Sequence, residues 1–282
     1  MIILLLGKTG QLGFELQRAL SSFGCVVAPA RAELDLANSQ KVSDYLAQVR
    51  PNIIVNAAAW TAVDAAETQK TAALRLNADL PKQLGKYAAD NNARLVHYSS
   101  DYVYPGTGII PWRENSPTAP LNVYGETKLQ GDEAIQGSGA DYLIFRTSWV
   151  YSARGNNFMK TMLRLAESKT ELSVVVDQVG APTPARLIAQ ITALAINNEL
   201  ATGLYHLAPA GQISWCGLAK EIFRLAGKST KVNSIQTSNY PTPAKRPLNS
   251  RMDIAKLQRA LNIQLPNWQN QLELTLNEYL EQ

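Results

Sequence analysis

Apolar residues fill Ile2 to Leu6 without a break, and a short run apolar on both faces predicts a fully buried strand. Gly7 ends that run, and the pattern then changes to a helical period through Leu16 and Leu20. Further apolar runs end at Ala28, at Asn56 after Ile53-Ile54-Val55, and at Tyr98 after Leu95-Val96, and another is Tyr142-Leu143-Ile144-Phe145. Helical patterns over roughly Ser39 to Val49, Thr71 to Asn91 and Val123 to Ile135 separate them. Strands alternating with helices predict an α/β fold, a doubly wound parallel sheet of Rossmann-like type with helices on both faces. Such sheets bind ligands beyond the carboxyl ends of their strands. Gly7, Asn56, Ser99, Ser100 and Trp149 all follow strand candidates, which predicts that they converge on one cleft.

Beyond about Lys169 the alternation weakens. The run Leu172–Val176, the Gly180–Pro184 segment and a helix to about Asn197 predict a smaller C-terminal substrate-binding lobe. The expected division is a dinucleotide-binding domain over 1–168 and a sugar-nucleotide lobe over 169–282, with a helix near 214–227 packing back on the first. Pro105 to Pro120 is rich in proline and reads as a long loop over the cleft; Asn239 to Arg251 is a second proline-rich, basic loop. With 46% hydrophobic and 18% charged residues, a packed core is expected and global disorder excluded. The net charge of +4 is scattered, which argues against nucleic-acid binding and suits anionic small ligands. No apolar stretch is long enough to span a bilayer, and the apolar start is too short for a signal peptide. Cys25 and Cys216 form no metal-type cluster. A cytoplasmic protein is expected.

Gly7, Gly10 and Gly13 stand in a G-x-x-G-x-x-G pattern between strand and helix. The first permits the tight turn, the second lets backbone approach a pyrophosphate, and the third lets the helix pack on the sheet. Helix N-termini attract phosphate, so this turn, with Gln11 and Leu12 inside it, predicts dinucleotide binding. The second strand candidate ends in Pro29-Ala30-Arg31, where an acid would take the ribose 2′-hydroxyl of NAD. Arg31 is either the partner of a 2′-phosphate, which favours NADP(H) over NADH, or a solvated loop residue. Asp35 and Leu36 are then expected beside the adenine, and the small residues Ala57, Ala58 and Ala59 let a dinucleotide lie close.

Tyr124 and Lys128 are one helical turn apart and share a face. A tyrosine ordinarily titrates near pH ~10. A neighbouring cation, and the helix N-terminus that Asn122 would cap, are expected to lower that value. Ser100 is the third candidate catalytic group. Ser99 reads as a turn cap, His97 and His206 as satisfied structural residues, and Trp60, Trp112, Trp215 and Trp268 as packing.

Together these motifs resemble the extended short-chain dehydrogenase/reductases, and in detail the dTDP-4-dehydrorhamnose reductase family over the whole chain. The resemblance rests on Gly7–Gly13, Asn56–Asp64, His97–Tyr104, Pro120–Lys128, Arg146–Tyr151, Gly155–Phe158 and Arg246–Arg251. It implies reduction of the 4-keto group of dTDP-4-dehydro-L-rhamnose to dTDP-L-rhamnose. Tyr124 would be the proton donor, Lys128 the group that holds the nicotinamide ribose, and Ser100 a hydrogen-bond donor to the reacting oxygen. Trp149 would pack on the sugar, Asp101 and Tyr102 would contact it, and Thr61 and Val63 would lie near cofactor and sugar. Arg246, Asn249 and Arg251 are candidates for the diphosphate, since guanidinium matches phosphate geometry. Some relatives dimerise through acidic side chains on a divalent metal. Glu15 is kept here, but Arg186 and Gln269 stand where glutamates would be expected, so neither metal nor homodimer is firmly expected.

Two other functions fit parts of the chain. A sugar-nucleotide dehydratase would carry an Asp-Glu pair after the Ser/Thr, but Asp101 is followed by Tyr102; an epimerase would retain tightly bound NAD. A regulatory subunit of a methionine adenosyltransferase, known in the wider family, would not need Ser100, Tyr124 and Lys128 together.

Overall fold

The computed structural model describes residues 1–281. Its centre is a six-stranded sheet in the order Gly203–His206, Asp141–Thr147, Arg94–Ser100, Ile53–Asn56, Ile2–Leu6, Cys25–Val27. Every neighbouring pair runs parallel. The uninterrupted apolar runs follow from this arrangement. In the first strand Ile3 and Leu5 join a core on one face, while Leu4 and Leu6 join a second core on the other. The helices Gln11–Ala19 and Ala185–Asn197 cover the first face; Ser39–Val49 and Leu80–Asp90 contribute to the second.

The expected cut at 168 does not follow the packing. The helix Ala185–Asn197 and the strand Gly203–His206 return to the large sheet after the lobe has begun. Conversely, the helix Phe158–Ala166 belongs to the lobe core, together with Val174, Trp268, Leu272 and Leu276. The helix Trp215–Leu225 packs in this same core through Leu218, Ala219, Ile222 and Phe223, and there meets residues from within 1–168, among them Tyr151, Met159 and Met162. A two-stranded parallel pair, Glu171–Val175 with Lys231–Ile235, completes the lobe. The Pro105–Pro120 segment also lies elsewhere than expected: it contributes nothing to the cleft lining. Asn249 donates to the carbonyls of Thr107 and Ile110, and Trp112 Nε1 donates to the Asn249 carbonyl, which binds the loop to the lobe.

Two close approaches fix the helix carrying the candidate site. In the helical stretch Lys70–Asp90 one π-helical turn, Arg75–Asp79, interrupts the α-helix. Its Asn77 accepts from Trp60 N at 2.9 Å and donates to the Trp60 carbonyl at 3.1 Å. Gly131, in the helix Val123–Gln136, passes so near that a Cβ would stand 2.1 Å from the Asn77 carbonyl oxygen. Gly131→Ala is therefore expected to push this helix off its seat and to lower stability by about 1–3 kcal/mol, the usual cost of overpacking, measured as the urea unfolding midpoint.

Candidate active site

The carboxyl ends of the central strands open into a cleft of about 930 Å³. Gly7 to Leu12, Arg31, Asp35, Leu36, Ala57 to Ala59, Thr61, Val63, Ser100 to Tyr102, Tyr124, Lys128 and Trp149 all line it. At one end is the glycine turn. Gly7 has φ +85°, and a Cβ there would lie 2.7 Å from Ala58 N; a Cβ on Gly13 would lie 2.0 Å from the Gly7 carbonyl oxygen. Gly13 is thus under the turn, in the helix–strand contact, rather than in the cleft wall. Gly10 caps the helix Gln11–Ala19 with extended backbone, and no side chain occupies the cap. That leaves the helix start open to an anion. Arg31 is exposed at the far side, and Lys8 pairs with Glu33 at 3.6 Å beside it.

At the other end the helix Val123–Gln136 starts on Asn122, whose side chain accepts from Gly125 N at 2.8 Å. This start brings Tyr124 to the cleft, half-buried, its ring edge-on to Tyr102 at 5.3 Å. Burial pushes the phenol up to about 12, against the neighbouring Ser100 hydroxyl, which pulls it down, and Asp101 and Asp132, which raise it further. The depressed tyrosine expected from the sequence is therefore absent in the protein alone. Lys128 is not among the groups that shift the protonated phenol: Nζ donates to the Tyr98 carbonyl at 2.6 Å and lies 3.2 Å from His97 Nε2. Lys128 is 1% exposed. Burial lowers its value to about 8, with Asp132 opposing.

Of the two serines it is Ser100, not Ser99, that caps a turn. Ser100 Oγ accepts from Tyr102 N, capping the short 3₁₀ turn Asp101–Val103, and donates to Asp101 Oδ1 at 3.1 Å. Ser99 caps nothing and donates to Asp132 Oδ2 at 2.9 Å. Asp101 is buried; desolvation lifts its carboxyl to about 6, and Ser250 and Ser100 pull it back. Asp101 Oδ2 and Thr147 Oγ1, both on cleft-lining residues, have no hydrogen-bond partner. Buried polar atoms left open in this way fit a polar ligand.

Sequence reasoning missed Trp215, whose ring stacks on Trp149 with centroids 3.6 Å apart and which also lines the cleft. Trp149 holds a left-handed backbone, φ +50°. Trp60 and Lys8 were missed as lining residues too. Neither tryptophan sits in a motif that separates lining from packing; the strand-end position of Trp149 was the only such signal. Arg246, Asn249 and Arg251 are not among the lining residues. Arg246 pairs with Asp64 at 2.8 Å, Asn249 is wholly buried as the staple of the 105–120 loop, and Arg251 bonds Gln212 and Asn249. Arg186 donates to Glu15 at 3.2 Å and to Glu278 at 2.8 Å, so a guanidinium stands beside Glu15.

Behind the site runs a buried polar chain. Asp132 Oδ2 accepts from Arg146 Nε at 3.0 Å, Arg146 Nη1 donates to Tyr104 Oη at 2.8 Å, and Tyr104 Oη lies 2.6 Å from His206 Nε2. His206 Nδ1 lies 3.1 Å from the Asp253 carbonyl oxygen.

A glycine turn with an open helix start, and a tyrosine, lysine and serine on the same cleft, are the arrangement of an oxidoreductase of the short-chain dehydrogenase/reductase type. Residues 1–281 match the sequence family described as RmlD substrate binding domain. The chain belongs to the dTDP-4-dehydrorhamnose reductase family. It is 48% identical to the dTDP-4-dehydrorhamnose reductase of Escherichia coli (strain K12), over 99% of this chain and 98% of that one. Its fold matches the crystal structure of such a reductase from Clostridium acetobutylicum with a TM-score of 0.95 at 36% identity, covering 100% of both chains. The Bacillus anthracis enzyme, solved in complex with NADP, gives 0.93 at 33% identity, covering 98% of this chain and 99% of that one.

Burial, and then Arg146, hold the His206 imidazole down to about 3. Between that value and the ordinary histidine value of 6.5 the unfolded chain binds the extra proton, so His206 makes stability fall as pH drops through this window. The urea midpoint of His206→Gln is expected to lose less between pH 7 and pH 4 than that of the wild type.

Proposed function

We propose that this chain reduces the C4 ketone of dTDP-4-dehydro-L-rhamnose to the alcohol of dTDP-L-rhamnose with NADPH. The observation that carries the reading is the meeting of Tyr124, Ser100 and Lys128 at one end of a cleft whose other end is the open helix start at Gly10. Gly7 to Leu12 would hold the pyrophosphate on backbone N–H groups, Ala57 to Ala59 would face the dinucleotide, and Asp35 and Leu36 would flank the adenine. The bound cofactor supplies the hydride.

The chain's own part is to place and proton-load the ketone. A phenol raised to about 12 is fully protonated at neutral pH, which is the form a reduction needs. As negative charge develops on the carbonyl oxygen, Tyr124 Oη gives up its proton, and Ser100 Oγ donates a hydrogen bond to the same oxygen. The phenolate left behind is the species a lysine cation stabilises, which assigns Lys128 to the step after proton transfer as well as to the cofactor ribose. Asp101, with one carboxylate oxygen unpartnered, would accept from a sugar hydroxyl. Trp149 would cover the apolar sugar face, with Tyr102, Thr61 and Val63 completing the wall. Arg246 is the remaining candidate for the diphosphate, because its Nη1 is unpartnered; Asn249 and Arg251 are left with structural parts.

Tyr124→Phe is expected to keep NADPH binding and lose about 10²-fold or more in turnover, the range of a single acid–base group, followed as loss of reduced-nicotinamide absorbance with the 4-keto sugar nucleotide. Near-normal turnover would rule out this proton donor. Arg31→Ala is expected to weaken NADPH by about tenfold and leave NADH little changed, the worth of one charge-assisted hydrogen bond. Equal losses for the two cofactors would remove the 2′-phosphate role.

A further inference from the structure

Lys128 meets a buried chain of partners through His97 and Asn56, and their hydrogen-bond polarity is over-determined. Asn56 is 1% exposed and His97 is 0% exposed. Asn56 Oδ1 accepts from Ala58 N at 3.2 Å, and its Nδ2 lies 3.2 Å from His97 Nδ1. The far nitrogen, His97 Nε2, lies 3.2 Å from Lys128 Nζ. A neutral imidazole has one N–H and one lone pair. With the amide oriented by Ala58, Nδ2 donates, so His97 Nδ1 accepts and the ring proton sits on Nε2. An Nε2–H requires a lone pair on Nζ, which only the neutral amine has. If Lys128 carries its third proton, Nε2 must accept instead. The ring proton then moves to Nδ1, the Asn56 amide turns over to offer its oxygen, and Ala58 N loses its acceptor. Ala58 lines the cleft.

We propose that Asn56 and His97 are positioning residues that couple the proton on Lys128 to the backbone N–H of Ala58 in the cofactor wall, through a paired change of imidazole tautomer and amide orientation. This rests on the reading of Lys128 as the lysine of the reductase site. Charging the amine frees the Ala58 N–H for an acceptor in the cleft. A ligand accepting from that N–H favours the cationic lysine in return, by the reciprocity of linked equilibria. The other groups around Nζ do not compete for this role. Asp132, on the same helix, acts on Lys128 through its charge and is itself paired with Arg146. Tyr124 lies one turn earlier on that helix, and the Tyr98 carbonyl accepts in either state. His97 stays neutral throughout, because burial and then Lys128 hold its value well below the ordinary one.

The chain has two histidines, so ¹⁵N-histidine labelling of the cofactor-free protein shows two imidazoles. His206 is the internal control: its Nδ1–H points to the Asp253 carbonyl and its Nε2 accepts from Tyr104, a fixed tautomer opposite to that of His97 at high pH. The expected result is that His97 changes from the Nδ1–H to the Nε2–H form with a midpoint of about 8, the same midpoint that ¹³C-lysine labelling gives for Lys128, while His206 does not change. Asn56→Asp, whose carboxylate can only accept, is expected to hold His97 as Nδ1–H at every pH and to move the Lys128 midpoint upward. A His97 tautomer that stays constant while Lys128 titrates overturns the coupling, as does a tautomer midpoint separate from that of Lys128. The wild-type titration decides this without the variant and without turnover. An intact tautomer change in a protein that does not oxidise NADPH with the 4-keto sugar counts against the reductase reading alone.

Discussion

One primary amine, shut away from water, sets the terms for this site. Burying an unpaired ammonium costs several kcal/mol, and Lys128 meets that cost only where the Tyr98 carbonyl, His97 and the Asp132 carboxylate surround it. Those partners exist only if the helix Val123–Gln136 lies against the carboxyl end of the strand Arg94–Ser100. The same docking carries Tyr124 to the cleft and Ser99 to Asp132. Gly131 makes the approach possible, and the ion pair of Asp132 with Arg146 ties the helix to the next strand. The groups proposed to react are thereby fixed by regular elements rather than by loops, the arrangement that holds site geometry most tightly.

Much of this was legible in the chain because it rests on local rules. The strands appeared as apolar runs, since a parallel sheet buries both faces. The glycine turn appeared through spacing, and the Tyr124–Lys128 pair through the i, i+4 relation. What stayed hidden depends on partners distant in sequence. The strand Gly203–His206 joins the main sheet after a stretch of lobe, and no local pattern says which sheet a strand will enter. Trp215 meets Trp149 from 66 positions away. Asn249 and Arg251 looked like phosphate ligands by their place in a basic loop, yet the 105–120 loop and Gln212 already engage them. The π-helical turn at Arg75–Asp79 leaves no mark in an otherwise helical pattern.

The same distinction explains the tyrosine. Spacing shows that a lysine shares its helix face, but not where the amine ends. Here Nζ reaches inward to a carbonyl, and desolvation dominates at the phenol. Proximity in sequence thus placed Tyr124 and Lys128 on one cleft while misjudging the direction of the electrostatics at the phenol.

The indole pair has an optical consequence. Two rings 3.6 Å apart and within 13° of parallel are close enough for their transitions to couple. Because one of them rises from the end of the sheet and the other from the start of a lobe helix, the separation between the two bodies is written into that coupling. A sugar nucleotide that wedges against either ring, or any shift of the lobe, becomes visible in the near-ultraviolet spectrum without a label.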